Sequence, residues 1–132
     1  MAYTRVTRTA NGAAAIAYAL NGSGHNGAVN RNEAVTYIKL NNKIPIFIQF
    51  EKYWNRARVN HKTQIIRIVQ SFSKNEFDPE NHADILKANE LGQALVDEHY
   101  PGGQAVVCTQ TDGKGGCVHN HILVSDVSMV DG

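Results

Sequence analysis

Apolar positions along this chain fall into short β-branched runs, separated by glycine- and asparagine-rich stretches, with helical periods between them. Tyr3–Thr9 alternates about Val6 and predicts a first strand carrying Arg5 and Arg8. Residues 13–20 (AAAIAYAL) predict a short alanine helix, opened by Asn11-Gly12 and stopped by Asn21-Gly22. Ile16 and Leu20, at i and i+4, share its core stripe, while Tyr18 lies about 200° round from Ile16 and points away. Residues 21–32 (NGSGHNGAVNRN) predict a polar loop containing His25, and residues 33–40 fit either a short helix or a strand. After a turn at residues 41–43, an apolar run over 44–50 is broken by Pro45. Residues 49–59 (QFEKYWNRARV) have helical character, with Phe50, Tyr53 and Trp54 packing and Lys52, Arg56 and Arg58 outward.

The second half is more regular. Residues 63–73 (TQIIRIVQSFS) form the clearest strand pattern outside the C-terminal region. Asp78-Pro79-Glu80 predicts a helix start, with Asp78 as N-cap, Pro79 at the first helical position and an acid in the first turn. Ile85, Ala88, Leu91 and Leu95 supply the apolar stripe, and Pro101-Gly102-Gly103 the stop. Residues 104–126 read as two strands joined by a glycine-rich loop at 111–117, hence an antiparallel hairpin. The predicted fold class is α+β over a single domain, residues 1–132: a central antiparallel sheet with helices packed on it. Within it the 63–73, 104–110 and 118–125 segments pair, and the helix spanning 78–100 lies across one face.

A length of 132 residues with 42% hydrophobic content suffices for one buried core. The net charge of +1 hides an uneven distribution. Residues 51–74 hold six basic side chains (Lys52, Arg56, Arg58, Lys62, Arg67, Lys74) against one acid, and residues 75–99 hold seven acids against one lysine. Such asymmetry suits a basic face for a polyanion, and it equally suits ordinary amphipathic surface. The two cysteines, Cys108 and Cys117, read as reduced thiols of a cytosolic protein. Nothing approaches the ~20 continuous apolar residues of a membrane span.

The candidate chemistry lies in the hairpin. Strand alternation points Val118, Asn120, Ile122 and Val124 one way, and Cys117, His119 and His121 the other. Two imidazoles two residues apart on one strand face are spaced to share a metal ion, and they equally suit a solvated polar strand face. Gln110, ending the preceding strand, is placed to supply a third ligand or to bond to one; Asp112 and Cys117 are the substitutes. An apolar back face is expected to hold the histidines in register. Aromatics interleaved with Lys and Arg over 49–59 suit a single-stranded nucleic-acid surface or a plain amphipathic helix.

Taken together, IIRIVQSFS, the long helix after Asp78-Pro79 and AVVCTQTDGKGGCVHNHILVSDV resemble the conjugative relaxases, or plasmid mobilisation proteins, of the HUH endonuclease superfamily. AIAYALNG resembles the family's first motif, a helix bearing the nucleophilic tyrosine, so that Tyr18 matches the nucleophile. His119 and His121 match the paired metal ligands, and the serine and phenylalanine of QSFS (Ser71, Phe72) match the second motif, associated with DNA near the cut. Gln110 stands where a third histidine is usual. The resemblance implies metal-dependent nicking of single-stranded DNA at an origin of transfer, with Mn²⁺ or Mg²⁺ as cofactor and a 5′-phosphotyrosyl adduct as product. Arg56, Arg58, Lys62 and Arg67 would grip phosphates. It further implies a bacterial cytoplasmic location, no membrane insertion, accessory relaxosome proteins and a coupling protein as partners, and a chain that is the N-terminal part of a longer protein.

Two other readings compete. Gly113 and the His-x-His pair have a cupin spacing, although Ser125 and Asp126 stand where a cupin needs glutamate, and a cupin is nearly all β. A non-catalytic DNA-binding module with a structural zinc would need four firm ligands, with Cys117 and Cys108 completing the set.

Overall fold

The run HNHILVS forms the central strand of an antiparallel sheet, flanked on both edges. The computed structural model describes residues 3–9, 16, 32–46, 48–50, 65–111 and 116–125. Within these, β1 (Tyr3–Thr9), β2 (Asn32–Ile38), β3 (Ile65–Ser71), β4 (Ala105–Gln110) and β5 (His119–Ser125) make a five-stranded sheet in the order β1-β3-β5-β4-β2. All four neighbouring pairs are antiparallel. The predicted pairing of the 63–73, 104–110 and 118–125 segments is therefore found, and the fold is α+β as expected.

The undecided stretch 33–40 is an edge strand up to Ile38, followed by a bend at residues 39–40. Val35, Thr36, Tyr37 and Ile38 are good strand formers, and β4 supplies the partner ladder that settles the choice between helix and strand. β4 is buried along its whole length, because both faces of the sheet are covered there. One cluster on the helix face joins Ile66, Ile68, Ala105, Val107, Ile122 and Val124 to Val96. A second, on the opposite face, joins Ile65, Val106, Cys108 and Leu123 to Ile16, Ile46 and Phe50. Ile16 and residues 49–50 are helical, as the sequence pattern predicts, the helix extends back to 46 and 48 in the run broken by Pro45, and Ile16, Ile46 and Phe50 cover the face that the long helix leaves open. The rest of both segments, 11–15, 17–20 and 51–59, lies outside the described residues.

That long helix, α1 (His82–His99), starts later than Asp78-Pro79 suggests. Its N-cap is Asn81, whose side-chain oxygen accepts from the backbone N–H groups of Ala83 (2.9 Å) and Asp84 (3.3 Å). Asp78 instead caps a preceding turn, accepting from the Glu80 N–H at 2.9 Å. An Asx side chain can serve either structure, and Asn81 has the extended backbone that an N-cap needs. The inward stripe is Ile85, Ala88, Asn89, Gly92 and Val96. Leu91, expected inside, is 44% exposed, and Leu95 is half-buried. Gly92 takes the inward position because a Cβ there would stand 2.7 Å from Val107 Cγ1 and 2.8 Å from Asn120 Nδ2. The helix thus lies closest to the sheet directly over the strand that carries the histidines.

Candidate metal and DNA-binding site

His119 and His121 project from β5 on the face opposite α1, as strand alternation predicts. Their ring centroids are 5.1 Å apart with the planes at 77°. His119 is buried and His121 half-buried. The registers across β5 determine what lies beside them. Gln110 of β4 is directly opposite His119, and Ser71 of β3 flanks it on the other side. Cys108 and Val69 flank His121 in the same way. One row across the sheet is therefore Ser71, His119, Gln110, and the next is Arg5, Val69, His121, Cys108.

His119 is held at both ring nitrogens. Nδ1 lies 3.2 Å from the Cys117 carbonyl oxygen, and Nε2 lies 3.1 Å from Gln110 Oε1. Both oxygens are acceptors, so which ring nitrogen donates depends on the tautomer. With the proton on Nδ1, Nε2 and Gln110 Oε1 would stand side by side toward a shared cation. Two donors each about 2.1 Å from one small divalent ion stand about 3.0–3.4 Å apart. The Gln110–His119 separation falls in that range, so these two donors fit such an ion. With His121 as a further ligand the donors would be two imidazoles and one neutral amide, which would leave coordination positions for phosphate oxygens and water. Among the described residues no three His, Cys, Asp or Glu side chains converge on one point, so a four-ligand structural zinc has no support there. Burial pushes the Cys108 thiol up to about 12, which makes it a neutral member of the core. Cys117 contributes its carbonyl to His119.

Of the other residues singled out in the sequence, Arg67 is half-buried on the histidine face, since it shares the parity of Ile65 and Ser71 on β3. It lies about 13 Å along the strand from Ser71. Phe72 is buried beneath α1 against Phe77 and Val118, so it supports the strand end from within. Tyr18, Arg56, Arg58, Lys62, Asp112, His25 and His61 lie outside the described residues. Ile16, two positions before Tyr18, packs in the cluster on the histidine face. Arg5, noted in the sequence only as part of a strand, is exposed on this face beside Val69. Its signal was parity along β1, which becomes readable only once β1 is known to pair with β3.

A family model described as relaxase, MobA/VirD2-like, nuclease domain, matches residues 18–132. The chain belongs to this relaxase family. No match was found among curated proteins. The relaxase is thus a nuclease domain of a DNA-nicking family. Its mixed sheet-and-helix architecture excludes the all-β cupin reading. Among the described residues no helix is long and apolar enough to cross a membrane.

Proposed function

We propose that this relaxase nicks one DNA strand at an origin of transfer by tyrosine transesterification, with Tyr18 as nucleophile and His119, His121 and Gln110 as the ligands of a divalent cation, Mn²⁺ or Mg²⁺. The observation that carries the reading is the approach of His119 Nε2 to Gln110 Oε1 at 3.1 Å on the sheet face where Ile16 packs. A cation bound there would polarise the P–O bonds of the scissile phosphate and offset transition-state charge.

The protein's own groups have separable tasks. With the Cys117 carbonyl accepting from Nδ1–H, the His119 Nε2 lone pair would be free for the cation beside Gln110 Oε1. Ser71, beside His119, offers a hydroxyl to a phosphate oxygen. Arg67, further along the same face, meets phosphates of the strand away from the cut, Arg5, two strands over in the row of His121, meets one nearer to it, and Arg56, Arg58 and Lys62 extend that grip. The Tyr18 phenol oxygen attacks phosphorus and the P–O3′ bond breaks. A 5′-phosphotyrosyl link forms, the phenolic proton passes to a base, and the departing oxygen takes up a proton as 3′-OH. A phenol has a pKa of about 10, so a base must assist, and His25 and His61 are the candidates. The exchange of one phosphodiester for another conserves the bond energy for rejoining. The reaction belongs in the bacterial cytoplasm, with accessory relaxosome proteins and a coupling protein as partners.

The test is incubation of labelled single-stranded origin DNA with Mn²⁺ or Mg²⁺. Wild type gives a covalent protein–DNA adduct whose peptide map places the nucleotide on the Tyr18 segment, and Tyr18→Phe gives none while binding DNA normally. His119→Ala with His121→Ala removes the metal-dependent cut. An adduct on Tyr37 or another residue overturns the nucleophile, and metal-dependent cutting by the double histidine variant overturns the metal site.

A further inference from the structure

Strand parity places the residue between the two histidines on the expected apolar back face, yet it is a buried, fully engaged amide. Asn120 has no exposed surface. Its Nδ2 donates to Gln70 Oε1 on β3 at 2.9 Å and to the Ala88 carbonyl oxygen of α1 at 2.8 Å. Its Oδ1 accepts from the Thr109 hydroxyl on β4 at 2.6 Å. Both N–H groups and the oxygen are therefore used, and each bond reaches a different element. Thr109 is oriented in turn by Asn89 Nδ2 at 3.0 Å, and Asn89 Oδ1 accepts from Thr36 (2.6 Å) and Gln93 (2.7 Å). The bonds from Thr36 and Gln93 through Asn89 and Thr109 run toward Asn120 and on to Gln70 and Ala88, an arrangement in which successive bonds polarise one another, while Asn89 Nδ2 also reaches the Val107 carbonyl oxygen at 3.3 Å.

We propose that Asn120 is a positioning residue for the metal ligands: its amide, tied to both neighbouring strands and to α1, sets the rotation of β5 at residues 119–121 and so aims the imidazoles of His119 and His121. This rests on the reading of those histidines as ligands. An apolar side chain at 120 would fill the space without choosing a rotation, because dispersion contacts are non-directional, whereas three hydrogen bonds to three elements leave one orientation. A tilt of roughly 10° about the strand axis carries an imidazole tip by about 1 Å, beyond the about 0.5 Å tolerance of a functional constellation. Gly92 is part of the device. A Cβ at that position would meet Asn120 Nδ2 at 2.8 Å, so the glycine permits the close helix approach that lets Asn120 reach the Ala88 carbonyl.

The test uses the full chain with Asn120→Leu, which keeps the branched heavy-atom skeleton and removes every polar atom. Thr109→Val, which removes one bond to Asn120, serves as the milder variant. Three quantities are read: the His119 tautomer from long-range proton–nitrogen correlation in metal-free protein, the Mn²⁺ dissociation constant by calorimetric titration, and the melting temperature. Wild type should hold a single tautomer, with the proton on Nδ1 if Nε2 is the ligand atom. Asn120→Leu should mix the tautomers and weaken Mn²⁺ binding about ten-fold or more, beyond what its lower melting temperature accounts for; Thr109→Val should move the same way by less. If Asn120→Leu keeps both the tautomer and the affinity, or loses affinity only in step with melting temperature, the residue merely packs and the proposal is overturned. Should Asn120→Leu fail to fold, Thr109→Val decides by the same criteria. Mn²⁺ binding that survives His119→Ala with His121→Ala would overturn the metal reading instead, and the metal-free tautomer then decides the positioning role by itself.

Discussion

His119 Nε2 faces Gln110 Oε1 across the β4–β5 ladder at 3.1 Å, and the two residues are direct partners in its register. The amide therefore belongs to the same constellation as the imidazole pair. Gln110→Leu, similar in volume, should weaken Mn²⁺ binding at least about ten-fold, and Gln110→His should restore it by supplying a third imidazole. Calorimetric titration of metal into the purified chain measures both. Equal affinity of wild type and Gln110→Leu would remove Gln110 from the ligand set.

Arg67 shares the histidine face without touching the histidine rows, so its expected role is grip on the strand at a distance from the cut. Arg67→Gln should weaken binding to all single-stranded sequences alike and reduce the salt slope of log K by about 0.7 for each phosphate that is no longer neutralised. Fluorescence anisotropy over a salt series reads this. A change in preference at one base, with the slope intact, would indicate base recognition instead.

The two cysteines should separate cleanly by reactivity. The Cys108 thiol is buried and its pKa is raised to about 12, so in the folded state it does not ionise at neutral or mildly alkaline pH. Cys117 is half-exposed. A disulfide reagent at mildly alkaline pH should therefore titrate one thiol quickly in native protein and the second only on denaturation. Because the folded pKa lies above the unfolded one, Cys108 favours the folded state below the unfolded thiol's pKa. That contribution is lost as pH rises toward the folded value. Two fast thiols in the native protein would contradict this burial.

Gly92→Ala combines two opposed effects. Alanine gains about 1 kcal/mol of helix propensity over glycine. Its Cβ, however, would stand 2.7 Å from Val107 Cγ1 and 2.8 Å from Asn120 Nδ2, and both neighbours are fixed in the interior. Overpacking of this kind costs about 1–3 kcal/mol. Net destabilisation of about 1 kcal/mol is expected in urea unfolding, with weaker Mn²⁺ binding because the sheet beneath Asn120 must shift. A stabilised Gly92→Ala would mean that α1 can lift away without consequence.

Much of the chain is legible from its pattern. The alternation of Tyr3–Thr9, the runs IIRIVQS and HNHILVS, and the hairpin order of β4 and β5 depend on local spacing and hold wherever the strands are placed. The direction of His119 and His121 to one face also follows from a two-residue period alone, and the likeness to relaxases rests on residues adjacent in sequence. Other features required the fold. Residues 33–38 became a strand because β4 offers it a ladder, which no local propensity encodes. Asn81 displaced Asp78 as the helix cap because both are competent caps, and the packing of α1 against the sheet decides where its axis begins. Leu91 faces outward while Asn89 and Gly92 face in, since the helix meets a polar network and a close approach where hydropathy alone would place leucine. The neighbours of His119, with Gln110 on one side and Ser71 on the other, are set by strand order and register. Those quantities are long-range: they arise from which edges pair once the apolar faces are buried, and residues tens of positions apart meet only then.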